Sequence, residues 1–242
     1  MINAIHADLR RLATLRSTWI YAILLTGACY GPIILMTLLY NAEYAGPIDA
    51  GDLGKCASIF HMVAIVFAGA TVATEIRNGS VGISFLTQRR RWTSLLSGAV
   101  VGTIFLTVTY VAGMALAILV AQFYPDGITI GSRGWPYLAT QLLVILIWAL
   151  AAAALAVTTR SIAASVAIPI VWMLLIENLI AMVPMLKDLI NWMPFNAGHA
   201  MLGHVLGEST ASPWPGVIVL TVLTLLATTA AATTHTQRDI PA

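Results

Sequence analysis

Charge is what this sequence has least of. Lysine and arginine together number 12 and aspartate and glutamate 10 in 242 residues, so charged side chains make up 9% of the chain, far below the roughly 25% of soluble globular domains. With 59% hydrophobic residues beside that shortage, a water-soluble domain is excluded and the chain reads as an integral membrane protein. A net charge of +2 is too small to hold a polyanion, which removes nucleic acid from the expected partners. Cysteine is nearly absent as well. Cys29 falls midway along one apolar segment and Cys56 near the outer end of the next, depths that differ by about 15 Å at about 1.5 Å per helical residue, too far to bridge. Both read as small packing residues. Catalytic signatures are missing too: there is no G-x-S-x-G and no G-x-x-x-x-G-K-[ST] phosphate loop. The chain by itself is therefore expected to be no enzyme and to bind no cofactor. A basic start leads into an apolar run of more than twenty residues without an A-x-A site, which reads as a retained span and not a cleaved signal.

What is there instead is apolar sequence in span-sized blocks. About 20 residues cross about 30 Å of hydrocarbon, and six segments qualify: Thr18–Tyr40, Ala57–Thr74, Leu95–Phe123, Pro136–Thr158, Ser161–Val183 and Trp214–Thr234. The expected fold is an all-α polytopic membrane protein, with residues 17–242 forming a six-span transmembrane domain. Trp19, Tyr40, Tyr124, Trp135, Tyr137 and Trp214 stand near the segment ends, as an aromatic belt requires. With a cytoplasmic N-terminus, the inner side holds Arg10, Arg11, Arg16, Arg77, Arg89, Arg90, Arg91, Arg160 and Arg238, and the outer side only Lys55, Arg133 and Lys187. The bias places both termini in the cytoplasm. The expected location is the plasma membrane, crossed several times.

Residues 1–16 precede the first span and form a separate element. At about 100° per residue, Ile2, Ile5, Leu9, Leu12 and Ala13 share one arc while Asp8, Arg10 and Arg11 lie elsewhere. That is the pattern of an amphipathic helix in the membrane interface; the simpler alternative is a basic flank that only fixes topology. Residues 184–212 are too apolar for a solvated loop and read as short outer helices broken at Pro194, re-entrant into the outer leaflet. Asn196 is positioned to cap the second of these. Within it, His199 and His204 are five apart, about 140° around a helix, unlike the i, i+4 pair of a metal site. No metal is expected.

Glu177 is the one acidic residue inside an apolar span, followed by Asn178 and nearer the outer interface than the midplane. Ionised groups there face a cavity or a partner. One reading makes Glu177 and Asn178 part of a translocation pathway or gate; the other makes Glu177 a cap that ties its helix to the short outer helices. Gly27 with Gly31, and Gly98 with Gly102, are spaced for close helix approach, the first pair being a candidate contact with another subunit. Pro169 should kink the fifth span.

The long polar interval "TEIRNGSVGISFLTQRRR" lies between spans two and three. With the amphipathic start "ADLRRLATLRSTW", six spans and short helices before the last, it resembles the permease subunits of type 2 ABC exporters, the ABC-2-type permease family. In that family a Glu ends span two, a small residue follows, and a basic cluster precedes span three; Glu75, Gly79 and Arg89 to Arg91 stand at those places here. Thr87 and Gln88 depart from the Pro or Ser that many members carry before the arginines. The resemblance implies a permease moving a hydrophobic or amphipathic substrate (a drug, antibiotic, peptide or lipid-like molecule) out of the cell. It implies a partner ABC ATP-binding subunit that carries ATP and Mg, and a second permease copy or a related permease. It also implies that residues 75–93, with Glu75, Arg77, Gly79, Arg89, Arg90 and Arg91, couple to the ATPase, beside an interfacial helix bearing Ile5, Leu9, Arg10, Arg11 and Leu12. The alternatives left open are arginines that contact only lipid, and a six-span sensor or assembly module uncoupled from ATP.

Overall fold

The computed structural model describes residues 2–41, 46–79, 91–207 and 212–237. It is an all-α polytopic membrane protein with six helices long and apolar enough to span a bilayer. In chain order these are α1 (Ile2–Thr14), α2 (Arg16–Leu38), α3 (Ala50–Arg77), α4 (Arg91–Ala121), α5 (Gly134–Thr159) and α6 (Ile162–Ala181), then the short α7 (Lys187–Ile190) and α8 (Pro194–Leu206), and α9 (Trp214–Gln237). The spans are α2 to α6 and α9. Two short strands, β1 (Ile48–Asp49) and β2 (Ile128–Thr129), pair in parallel between the loops that precede α3 and α5. They sit at the end of the bundle opposite α1.

The spans begin and end for local reasons that hydropathy does not carry. The second one starts at Ala50, seven residues before the expected Ala57, because Asp49 and Asp52 form a reciprocal cap: the Asp52 amide donates to Asp49 Oδ1 at 2.8 Å and the Asp49 amide to Asp52 Oδ2 at 3.4 Å. Lys55, one turn on, pairs with Asp52 at 3.0 Å. Polar residues that hydropathy assigns to a loop are thus the helix's first two turns. Cys56 thus lies inside the helix, in the same core cluster as Cys29, and both are buried and free, as packing residues. At the other end α3 stops where Gly79 takes a left-handed φ of 71°, a conformation that costs glycine little. Between α5 and α6 the chain reverses in two residues: Arg160 adopts φ 53° and Ser161 Oγ accepts from the Ala164 amide at 3.3 Å.

α3 and α5 run in the same direction and pack along each other at the centre. α2 leans on α3 and α4, α6 on α3 and α5, and α9 on α5 and α8. The core joins Leu25 and Ile33 of α2 to Leu53, Phe60 and Ala64 of α3, Leu106 and Tyr110 of α4, and Ile145 of α5. Lipid is as apolar as leucine, so close packing and interhelical hydrogen bonds do the work that water expulsion does elsewhere. Tyr110 donates its hydroxyl to the Leu138 carbonyl at 3.1 Å, and Gln141 Nε2 donates to the Gly54 carbonyl at 2.8 Å.

Within the chain, close approach comes from Gly113 and Gly69 and not from Gly98 with Gly102. A Cβ on Gly113 would stand 3.0 Å from Cys29 Sγ and 3.2 Å from Thr26 Cα, and one on Gly69 would stand 3.1 Å from the Ser165 carbonyl oxygen. By contrast, a Cβ on Gly31, Gly98 or Gly102 meets nothing within 4 Å, and one on Gly27 reaches only Tyr30 Oη at 4.0 Å. Pro169 sits inside α6, and the helix widens into a π turn over Trp172–Ile176 just beyond it. The missing amide of a proline breaks the i→i−4 ladder, and a π turn is one way a helix absorbs such a break.

Candidate functional site

Two polar constellations stand at opposite ends of the bundle. At the first, α1 lies across the ends of α3 and α4. Arg11 Nη2 approaches Glu75 Oε1 at 3.0 Å, with 41% and 31% of the two side chains exposed. Ser97 of α4, fully buried, donates its hydroxyl to Asp8 Oδ2 at 2.6 Å, a short charge-assisted bond. Leu12 packs against the core and Ile5 is half-buried, while Leu9 (38% exposed) and Arg10 face outward. Polar ties on one side and apolar contacts on the other hold α1 against the bundle.

Above this tie is a chamber of about 260 Å³ between α1, α3, α4, α5 and α9. Asp8, Arg11 and Glu75 stand at its rim, and Phe67, Val101, Leu106, Ala149 and Ala153 line its depth. Gly98 and Gly102 line it too, which explains why a Cβ at either would meet nothing. The hydroxyls of Thr103 and Thr228 are turned back on the carbonyls of Ala99 and Thr224 at 2.8 and 2.7 Å, so the inner wall offers little polarity.

At the opposite end Glu177 is 1% exposed and its carboxylate accepts four hydrogen bonds. Trp172 Nε1 and the Phe195 amide donate to Oε1 at 2.9 and 2.8 Å; the Asn196 amide and its side-chain Nδ2 donate to Oε2, both at 2.7 Å. Phe195 and Asn196 are the second and third residues of α8, and the residue before the helix, Met193, makes no side-chain cap. Glu177 therefore caps α8 from another helix, and its negative charge meets the positive end of the helix dipole. This corrects the expectation that Asn196 caps α8: Pro194 takes the first helical position, which puts Asn196 inside the first turn, where its side chain donates instead of accepting. Asn178 is exposed and bonds back to the Leu174 carbonyl at 2.9 Å.

Phe195 carries the clamp inward. Its ring lies 5.2 Å from His61 and 5.9 Å from Trp148, and 4.8 Å from His199 on its other side. Among the described residues, His61 Nε2 and Trp148 Nε1 are buried without a hydrogen-bond partner. His199 and His204 are exposed, and no group of three His, Cys, Asp or Glu side chains capable of holding a metal occurs among the described residues.

The residues expected to face a partner divide as follows. Glu75 joins Arg11, Arg77 and Gly79 are exposed, and Arg91 begins α4, its side chain outside the described set. Arg89 and Arg90 lie outside the described residues. Sequence reasoning missed Asp8 with Ser97, Trp172, and His61 with Trp148. Ser97 had a signal, as a small polar residue inside an apolar span at the level of the N-terminal helix; for the trans cap the acid in an apolar span was the signal, while its donors, 18 and 19 residues away, had none.

Compared with known proteins, the chain matches no family model and no curated protein.

Proposed function

We propose that this chain is the transmembrane permease subunit of an ATP-driven exporter, with ATP hydrolysed on a separate ABC subunit. The observation that carries the reading is the tie of α1 to both helices that flank the segment 80–90: Arg11 to Glu75 at the end of α3 and Asp8 to Ser97 near the start of α4. A partner pushing on that segment moves α3, α4 and α1 as one unit, because polar contacts and not lipid connect them. The sequence lacks a phosphate loop, so the energy enters from outside the chain. The charge bias of the loops favours a cytoplasmic side for this end, where ATP is available, and the exposed Arg77 near Glu75 offers charge to an acidic partner surface or to anionic lipid. The amphipathic chamber behind α1 supports a hydrophobic or amphipathic cargo. A second permease copy would complete the assembly, with the open Gly27 and Gly31 face of α2 as its contact.

The test is copurification of the tagged chain from its native membrane, followed by ATPase assay of the complex in nanodiscs. A P-loop subunit should copurify and hydrolyse ATP several-fold faster with the permease than alone, and Glu75→Arg should abolish the stimulation while leaving the complex assembled. A chain that copurifies with no ATPase is the sensor or assembly module instead.

A further inference from the structure

The chamber behind α1 has a lining that divides by polarity between depth and rim. Its depth is mostly apolar: the hydroxyls of Thr103 and Thr228 are bonded to their own helices, which leaves Thr71 as the one other hydroxyl among the lining residues. Its rim is charged. Arg11 is engaged by Glu75, whereas Asp8 spends one oxygen on Ser97 and holds the other without a hydrogen-bond partner among the described residues. An open carboxylate oxygen beside an apolar chamber calls for an N–H donor with a hydrocarbon tail.

The depth of the chamber sets the length of the tail. The wall from Phe67 to Glu75 on α3 is about 12 Å long at about 1.5 Å per residue, the reach of roughly ten extended carbons. The residues that line the chamber all come from this one chain.

We propose that this chamber binds a single-chain amphiphile with a protonated amine headgroup, the ammonium at Asp8 and the tail of about ten carbons between α3, α4 and α5. The assignment rests on the exporter reading only in calling the occupant cargo. Binding itself needs no ATPase, so the two fail separately.

The experiment is photolabelling of the purified full chain in phosphatidylcholine nanodiscs, using a ten-carbon primary amine with a diazirine at the tail end and, in parallel, the same tail on a sulfate. The amine probe should label the peptides containing Val101 to Leu106 and Ala149 to Ala153, with excess decylamine removing the label. Gly102→Leu should cut that labelling at least tenfold, and because a Cβ at Gly102 meets nothing the variant fills the chamber without forcing the helices apart. Asp8→Asn should weaken competition by decylamine about fivefold, since an amide keeps the Ser97 bond but loses the charge. Label confined to the lipid-facing residues Ile20, Ile23, Val108 and Val111, or labelling unchanged in Gly102→Leu, overturns the site. Equal labelling by the sulfate probe overturns the headgroup.

Discussion

Glu177 is the residue on which the end opposite α1 depends, and its replacement by glutamine can be followed quantitatively. Two donors reach each carboxylate oxygen: Trp172 Nε1 and the Phe195 amide at Oε1, and the amide and side chain of Asn196 at Oε2. Glutamine keeps one oxygen and turns an NH₂ toward the other pair, so either choice of rotamer strands two donors. An orphaned buried donor costs about 1–3 kcal/mol, and because the stranded pair relaxes jointly the sum falls short of additive, giving about 2–4 kcal/mol. The loss is local, because the clamp holds the first turn of α8 and not the α3–α5 core. Hydrogen exchange of the purified protein in nanodiscs should therefore accelerate about thirtyfold or more over residues 194–201, at about 1.4 kcal/mol per factor of ten, with the core of α3 unaffected. Asn178→Ala is the control, because Asn178 bonds only to carbonyls of its own helix and should leave α8 alone. Exchange in Glu177→Gln equal to wild type would refute the clamp.

Three further outcomes follow from the packing. Arg11→Glu and Glu75→Arg should each loosen α1, raising proteolysis within residues 1–15, and the double swap should restore protection. The coupling is about 0.5–1 kcal/mol because the pair is partly exposed, and it should shrink in 1 M salt. Gly113→Ala should lower thermal stability in detergent by about 1–3 kcal/mol, since its Cβ would press on Thr26 backbone, whereas Gly98→Ala should raise it by about 0.5–1 kcal/mol, its Cβ entering open space; equal effects would refute the packing assigned to the two glycines. Cys29 and Cys56, buried and unbridged, should stay unreactive to maleimide in the folded protein and both react after denaturation.

The six spans were legible because span length and hydropathy are properties of contiguous sequence. Their ends were less so: the Asp49–Asp52 cap that moves the start of α3 outward depends on two side chains meeting across one turn, which a hydropathy window averages away. Glycine spacing misled for a related reason. Gly98 and Gly102 have the four-residue spacing of a packing motif, yet they face a chamber, while the isolated Gly113 and Gly69 carry the close contacts. Which face of a helix meets another is decided by the whole bundle. Glu177 was conspicuous as an acid in an apolar span, and a capping partner among the short helices was one of its two readings; the identity of its donors depended on how those helices fold back.

The two ends of the bundle are held in different ways, and the difference bears on where the bundle can open. At the Glu177 end a buried carboxylate with four donors locks α6 to α8, and breaking it strands polar groups away from water. At the α1 end a half-exposed ion pair and one short hydrogen bond close a chamber whose glycines leave space unfilled. An opening there hydrates Arg11 and Glu75 instead of orphaning them, so its free-energy cost is lower. Local opening is drawn from regions with few buried contacts and solvent-reachable polar groups. A force applied near Glu75 accordingly meets the compliant end of the molecule first, and the polar ties of α1 turn that displacement into a change in the chamber's mouth before the opposite end yields.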